Sequence, residues 1–178
     1  MSELELKGKT ALVTGASKGI GKASALKLAS MGANIAVNYF SSENEALDTV
    51  KEVQSLGVDA FAVQANVGKL DEVDSMISEI IKKFEKIDIL INNAGIIQDG
   101  LLLRMSDEAW SKVIDTNLNG TFYCSRAAIK LMFKSRWGRI INIGSVVGLR
   151  GNVGQTNYSA SKAAINGFTF ALAKEVAT

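Results

Sequence analysis

The chain has 178 residues, of which 47% are hydrophobic and 21% are charged, and its formal net charge is +2. These values are typical of one globular domain and exclude an intrinsically disordered chain. The small net charge gives no reason to expect nucleic acid or a membrane surface as a partner. The longest apolar runs, such as IDILI at 87–91, are too short to cross a bilayer, and residues 1–9 contain no apolar stretch typical of a signal peptide.

Histidine is absent from the chain, and Cys124 is its one cysteine. The absence of histidine excludes Ser-His-Asp and Cys-His hydrolysis, and it leaves no N/S metal site. A lone cysteine cannot form an internal disulfide, so a reducing compartment is expected. A buried, unreactive thiol is a better interpretation of Cys124 than a nucleophile. Any chemistry must therefore use tyrosine, lysine, serine, amide or carboxylate groups.

Strand-like and helix-like patterns alternate along the whole chain. Short apolar runs predict strands in KTALVTG at 9–15, NIAVNYF at 34–40, DAFAVQA at 59–65, IDILINNAG at 87–95 and GRIINIGS at 138–145. Helical patterns lie between and after these runs, and the longest extends from about 107 to 134. Apolar strands between amphipathic helices predict a doubly wound parallel sheet with helices on both faces, a Rossmann-like α/β fold in one domain over residues 1–178.

A glycine-rich turn, VTGASKGIG at 13–21, joins the first strand to the first helix. Glycine lets the backbone bend sharply and approach a pyrophosphate, to which the start of the helix offers free N–H groups. Gly15, Gly19 and Gly21 are spaced G-x-x-x-G-x-G, which departs from the G-x-G-x-x-G fingerprint. A P-loop does not fit, because Ala16 and Ala23 replace its first glycine and its hydroxyl residue. On these residues alone, a tight turn without a ligand stays open.

The end of the second strand is where dinucleotide-binding folds select between NAD and NADP. Here the strand ends in VNYFSS, and the first acid is Glu43. Lys18, inside the glycine turn, supplies a cation nearby. Because a carboxylate would repel a 2′-phosphate and a lysine would attract it, the pattern favours NADP, although Lys18 could also be a solvated surface charge.

A tyrosine and a lysine lie four positions apart at the start of the last helical pattern, in NYSASKAAINGF at 157–168. At that spacing Tyr158 and Lys162 project from one helix face. A free tyrosine, with a pKa of about 10, is a poor acid at neutral pH, and a neighbouring ammonium makes proton transfer easier by stabilising the phenolate. Ser145 ends the preceding strand, where its hydroxyl could donate to a carbonyl oxygen beside Tyr158. Taken singly, each residue has a simpler explanation that would be preferred: Tyr158 as a surface aromatic, Lys162 as a solvated charge and Ser145 as a turn residue.

In combination, these motifs resemble the short-chain dehydrogenase/reductase family. The matching residues are TGASKGIG at 14–21, NNAG at 92–95, Asn117, Ser145 and YSASK at 158–162, in the order of the family and across nearly the whole chain. Within the family, the segments 92–105 and 138–168 are most similar to the 3-oxoacyl-[acyl-carrier-protein] reductases of fatty acid synthesis.

The resemblance implies roles for individual residues. Tyr158 would be the acid/base, Ser145 would position the substrate carbonyl, Lys162 would hold the nicotinamide ribose, and Asn117 would belong to a water-linked proton relay. A purely structural Asn117 stays open on the residues alone, because any buried amide needs partners. The substrate would contact Ser145, Gln155 and Tyr158.

The resemblance also implies a cofactor site, in which Asn66–Val67 replaces the usual Asp-Val pair. Its residues would be Gly15, Ser17, Lys18, Gly19, Ile20, Gly21, Asn38, Asn66, Val67, Asn93, Ala94, Gly95, Tyr158 and Lys162.

The function implied by the resemblance is NADPH-dependent reduction of a 3-oxoacyl thioester on acyl carrier protein, by a cytoplasmic homotetramer without a metal. Acyl carrier protein is acidic, so Lys130, Lys134, Arg136 and Arg139 are candidate contacts, although solvated charges near a helix end are the simpler explanation of these residues. Two alternatives are another short-chain oxidoreductase, acting on a sugar, steroid or small alcohol, and a truncated, non-catalytic dinucleotide-binding protein. Family members continue beyond the last residue of this chain, so we expect the carboxyl-terminal strands and the substrate lid to be missing.

Overall fold

The computed structural model describes residues 5–177; the ends of the predicted domain, residues 1–4 and 178, lie outside the described residues. Five parallel strands form one sheet in the order β3-β2-β1-β4-β5. The strands are β1 (Thr10–Val13), β2 (Asn34–Tyr39), β3 (Ala60–Gln64), β4 (Ile89–Asn92) and β5 (Arg139–Asn142). The chain moves outward from β1 to β3 and then crosses to β4 on the other side, so a crevice opens at the carboxyl ends of β1 and β4. The predicted doubly wound α/β fold is confirmed.

Seven α-helices connect or follow the strands among the described residues. They are α1 (Gly19–Ser30), α2 (Glu43–Gln54), α3 (Leu70–Phe84), α4 (Asp107–Ile114), α5 (Gly120–Ser135), α6 (Val147–Arg150) and α7 (Thr156–Glu175). Successive strand residues point to opposite faces of the sheet. Val13 therefore packs with α1 and α2 in one core layer, and Leu12 packs with α3 and α5 in the other.

The long helical region predicted from about 107 to 134 is not one continuous α-helix. A π-helical turn, Asp115–Asn119, separates α4 from α5 and contains Asn117. The side chain of Asn117 bonds the backbone of Ile96, which belongs to the segment after β4. Helical periodicity in the sequence cannot reveal this irregularity, because the contact depends on a residue 21 positions away. Such π-helical turns occur frequently at functional sites.

Cys124 is fully buried on α5, and burial raises the pKa of its thiol to about 12. Because the thiolate is the nucleophilic form, this position confirms the interpretation of a buried, unreactive thiol. No helix within residues 5–177 combines the length and apolarity needed to span a bilayer.

Candidate active site

The glycine turn lies at the carboxyl end of β1 and runs into α1. Gly15 and Gly19 have φ angles of +60° and +58°, in the left-handed region that glycine adopts most readily. A Cβ atom on Gly21 would lie 2.5 Å from both Asn93 Nδ2 and the Gly15 carbonyl, so the close approach of these segments requires glycine here. The start of α1 has neither a side-chain cap nor an acid in its first turn, whereas α2, α3 and α4 each carry two acids there. Free N–H groups and a positive helix end fit the pyrophosphate of a dinucleotide.

Asn38, near the end of β2, supports the backbone of the glycine turn through hydrogen bonds. Its Oδ1 accepts from Gly15 N–H at 3.2 Å, and its backbone carbonyl accepts from Ala16 N–H at 2.8 Å. Its Nδ2 lies 3.2–3.3 Å from three carbonyl oxygens at the ends of β2 and β3. The sequence placed Asn38 among the cofactor-binding residues; in the structure its buried side chain bonds the protein itself and acts through the shape of the turn.

The NNAG segment after β4 is clamped to the glycine turn by Thr14. The Thr14 hydroxyl oxygen accepts from the backbone N–H groups of Asn93 and Ala94, at 2.9 and 3.0 Å. Asn93 Nδ2 returns hydrogen bonds of 2.9 Å to the carbonyls of Thr14 and Gly15. Thr14 was missed as a site residue, although its place at the end of β1 inside the glycine motif was the available signal.

The remaining predicted cofactor residues differ in what they can offer. Lys18 and Ile20 are exposed at the start of α1, and Ser17 is partly exposed beside them. Asn66 Oδ1 accepts from Gly68 N–H at 3.0 Å, so its Nδ2 is the atom that can donate to a ligand. Val67 is buried with its side chain against Gly120, so it could face a ligand only through its backbone.

Helix α7 brings Tyr158 and Lys162 together, as the spacing predicted. Lys162 Nζ lies 5.9 Å from the centre of the Tyr158 ring and donates a hydrogen bond of 2.6 Å to the Ile143 carbonyl after β5. Lys162 is only 4% exposed, and burial lowers the pKa of its ammonium. Ser145 Oγ accepts from Val147 N–H at 3.2 Å, which leaves its own proton free to be donated.

Asn117 connects the π-helical turn to the segment after β4 and to helix α7. Its amide exchanges two hydrogen bonds with the backbone of Ile96, at 2.8 and 3.1 Å, and its Nδ2 also donates to Ser161 Oγ at 3.1 Å. Ser161 in turn donates to the Tyr158 carbonyl at 2.8 Å. A Cβ on Gly95 would lie 3.3 Å from Asn117 Oδ1 and 3.7 Å from Lys162 Nζ, so these three residues are neighbours. Ser161 was missed, because only the fold shows that its hydroxyl faces Asn117.

Gln155, the predicted substrate contact, has partners at both ends of its amide. Its Nε2 donates to Asp99 Oδ1 at 2.9 Å, and its Oε1 accepts from Asn152 Nδ2 at 3.1 Å. Asp99 was missed because it lies 56 positions from Gln155 in the chain.

The structure therefore brings several of the predicted residues into two neighbouring groups, whereas the one hydrogen bond of the Ser145 side chain among the described residues is with the Val147 backbone. The glycine turn and Asn93 form the first, and Asn117, Tyr158 and Lys162 form the second, with Gly95 between them. Asn66 lies at the end of β3, two strands away from β1. The second group combines a phenol, a buried ammonium and an amide, which are suited to proton transfer to or from a carbonyl oxygen.

Comparison with known proteins gives consistent matches. A family model described as short chain dehydrogenase matches residues 9–178. The chain is similar to a 3-oxoacyl-[acyl-carrier-protein] reductase of Synechocystis sp., with 55% identity over 97% of this chain and 70% of the relative. It is 52% identical to the 3-oxoacyl-[acyl-carrier-protein] reductase FabG of Staphylococcus aureus, over 96% of this chain and 69% of the relative. The FabG protein of Staphylococcus epidermidis is 51% identical, over 96% of this chain and 70% of the relative.

Proposed function

The chain belongs to the short-chain dehydrogenase family, and from this premise we propose that it reduces a 3-oxoacyl thioester on acyl carrier protein to the 3-hydroxyacyl thioester, with NADPH. Family membership makes the chain an oxidoreductase that uses a nicotinamide dinucleotide. The single observation that carries the proposal is the meeting of Tyr158, Lys162 and Asn117 beside the NNAG segment. The names of the relatives supply the substrate class.

Reduction of a ketone places a hydride on the carbonyl carbon and a proton on its oxygen. Bound NADPH would supply the hydride. The Tyr158 phenol donates the proton to the carbonyl oxygen, while Ser145 Oγ donates a second hydrogen bond to that oxygen and stabilises its developing charge. The Lys162 ammonium stabilises the phenolate that remains. Asn117 keeps the segment after β4 beside Lys162, where a proton can return to the phenolate through water.

The cofactor would lie along the carboxyl edge of the sheet. Its pyrophosphate would contact the N–H groups between Gly15 and Gly21, and Lys18 would attract the 2′-phosphate of NADP. Glu43, the first acid after β2, opposes this preference. It lies near Tyr39, where burial and the Glu43 carboxylate both raise the pKa of the phenol. Lys18 and Glu43 therefore act in opposite directions on a 2′-phosphate.

Acyl carrier protein would approach the end of α5 and the start of β5. Lys130, Lys134, Arg136 and Arg139 are all exposed there, although the Arg139 guanidinium also stacks on Trp137 at 5.0 Å. An acidic partner fits this group of cations.

Homotetramer formation would use the exposed aromatic side chains of α5 and α7. Phe122, Phe133 and Phe170 are exposed on these helices, and exposed apolar surface of this kind is typical of an interface. The cytoplasmic location stays a prediction.

The proposal is tested by following nicotinamide absorbance when the chain is mixed with acetoacetyl thioester, with NADPH and NADH in parallel. We expect turnover with NADPH and a rate with Tyr158→Phe that is about 10²–10⁴-fold lower. Tyr123→Phe, on α5, is the matched control and should retain the rate. Turnover of sugars, steroids or small alcohols in place of the thioester would contradict the substrate assignment. Cofactor binding without any turnover would instead favour the non-catalytic alternative.

A further inference from the structure

A continuous row of contacts, which we call the seam, joins residues 98–105 after β4 to residues 152–157 at the start of α7. Three of its hydrogen bonds are 2.8–2.9 Å long, and a fourth, to a methionine sulfur, is 3.8 Å long. In chain order they are Asn157 Nδ2 to Gln98 O, Gln155 Nε2 to Asp99 Oδ1, Gly100 N to Gly154 O, and Thr156 Oγ1 to Met105 Sδ.

The seam is attached to the backbone of Tyr158 and, through Ile96, to the side chain of Asn117. Asn157 is fully buried, and its Oδ1 accepts from Tyr158 N–H at 2.7 Å. At the other end, Ile96 is bonded to Asn117. The seam therefore holds the segment after β4 against the helical turn that presents Tyr158.

Two contacts of the seam join side chains, and the shorter of them is the 2.9 Å hydrogen bond from Gln155 Nε2 to Asp99 Oδ1. The Gln155 amide is held at both ends, so its donor faces the Asp99 carboxylate in a defined orientation. A carboxylate as acceptor makes this bond stronger than a neutral pair. Because both side chains are partly or fully exposed, they can be exchanged without opening the core.

Exposed apolar side chains lie on both sides of the seam. Leu103 is 96% exposed and Leu102 is 67% exposed, just after Gly100. On the other segment, Val153 is 84% exposed and Leu149 is 76% exposed. The Gly100–Gly154 bond brings the two segments into register at this point. A concentration of exposed apolar side chains next to a site is typical of a surface that binds an apolar ligand.

We propose that Asp99 is a positioning residue for the acyl chain of the substrate. Through Gln155, it keeps the seam closed, and the closed seam sets the spacing of the two apolar sides along which the acyl chain lies. This inference rests on the proposed function, since the acyl chain must extend from a carbonyl held at Tyr158. Gln155 then contributes to substrate binding by holding Asp99.

The role of the Asp99–Gln155 hydrogen bond is tested by substitutions that exchange its donor and its acceptor. Gln155→Glu places two carboxylates against each other and opens the seam, whereas Asp99→Asn keeps an acceptor for Gln155. The double variant Asp99→Asn/Gln155→Glu restores a donor–acceptor pair in the reverse direction. Asp74→Asn, on the exposed side of α3, is the matched control. KM is measured for acetoacetyl and 3-oxooctanoyl thioesters, with the Kd of NADPH and the hydrogen exchange of the Gly100 amide.

For Gln155→Glu, we expect the KM of the 3-oxooctanoyl thioester to rise about tenfold and that of the acetoacetyl thioester about twofold, because the longer chain loses more apolar contact. The Kd of NADPH stays constant, Gly100 exchanges faster, and the double variant recovers both properties. Equal KM increases for the two substrates, or a double variant no better than Gln155→Glu, would overturn the inference. If the wild type reduces neither thioester, the proposed function fails separately, and unchanged Gly100 exchange in Gln155→Glu then overturns the seam by itself.

Discussion

The two sides of the candidate site are built in different ways. On the cofactor side, β1 is buried throughout, and the polar groups of Thr14, Asn38 and Asn93 bond the backbone. On the substrate side, β5 alternates between exposed and half-buried residues, and contacts such as Asp99–Gln155 join two side chains at the surface. Hydrogen bonds to backbone groups inside the core fix the shape of the cofactor side. Hydrogen bonds between exposed side chains allow residues of the substrate side to be replaced without unfolding the protein.

The largest expected effect is on activity and concerns Lys162, where the two sides meet. Lys162→Met should lower turnover about 10²–10⁴-fold, because in the proposed mechanism the Lys162 ammonium stabilises the Tyr158 phenolate. Lys174→Met, on the exposed end of α7, is the matched control and should retain the rate. A Lys162→Met variant with the wild-type rate would remove this lysine from the mechanism.

The difference in stability between the wild type and Lys162→Met should depend on pH. Burial lowers the pKa of Lys162 below its ordinary value of 10.5, so the folded state disfavours the charged form. The unfolded chain therefore binds the proton more tightly, and the penalty on folding is largest below the folded pKa. We expect the wild type to gain stability relative to Lys162→Met as the pH rises through the lowered pKa towards 10.5. Urea unfolding across that range measures it, and a flat difference would contradict the burial argument.

The second-largest expected effect is a loss of stability, caused by a substitution on the cofactor side of the site. Asn38→Ala removes the brace under the glycine turn and leaves buried backbone groups without partners. We expect the free energy of unfolding to fall by about 2–4 kcal/mol, together with the affinity for NADPH. Asn44→Ala, exposed on α2, should change neither quantity. Denaturant unfolding and cofactor titration measure both, and a loss of affinity at full stability would mean that Asn38 contacts the cofactor directly.

The smallest expected effect concerns the choice between cofactors. Lys18→Glu should lower kcat/KM for NADPH about tenfold and lower the value for NADH much less, because both cofactors carry the pyrophosphate but only NADPH carries the 2′-phosphate. Lys27→Glu, at the far end of α1, makes the same change in net charge away from the turn. If both variants reduce the NADPH value equally, the effect comes from the overall charge and Lys18 has no specific role.

Much of the fold could be predicted because it depends on local patterns. The five apolar runs became the five strands, and the glycine turn and the Tyr158–Lys162 spacing are confined to a few neighbouring residues. The π-helical turn at Asn117 and the short helix α6 were not predicted, because neither has a periodicity of its own in the sequence.

The amino-acid sequence by itself determined the chemical groups available, the parallel α/β architecture and the pairing of Tyr158 with Lys162 on one helix. Only the tertiary structure decided which polar groups turn inward to support the site. Asn38 became a brace, Ser161 became a partner of Asn117, and Asp99 met Gln155 across 56 positions of chain. The physical reason is that hydrogen bonds between distant segments depend on strand order and helix packing, which no short stretch of sequence contains.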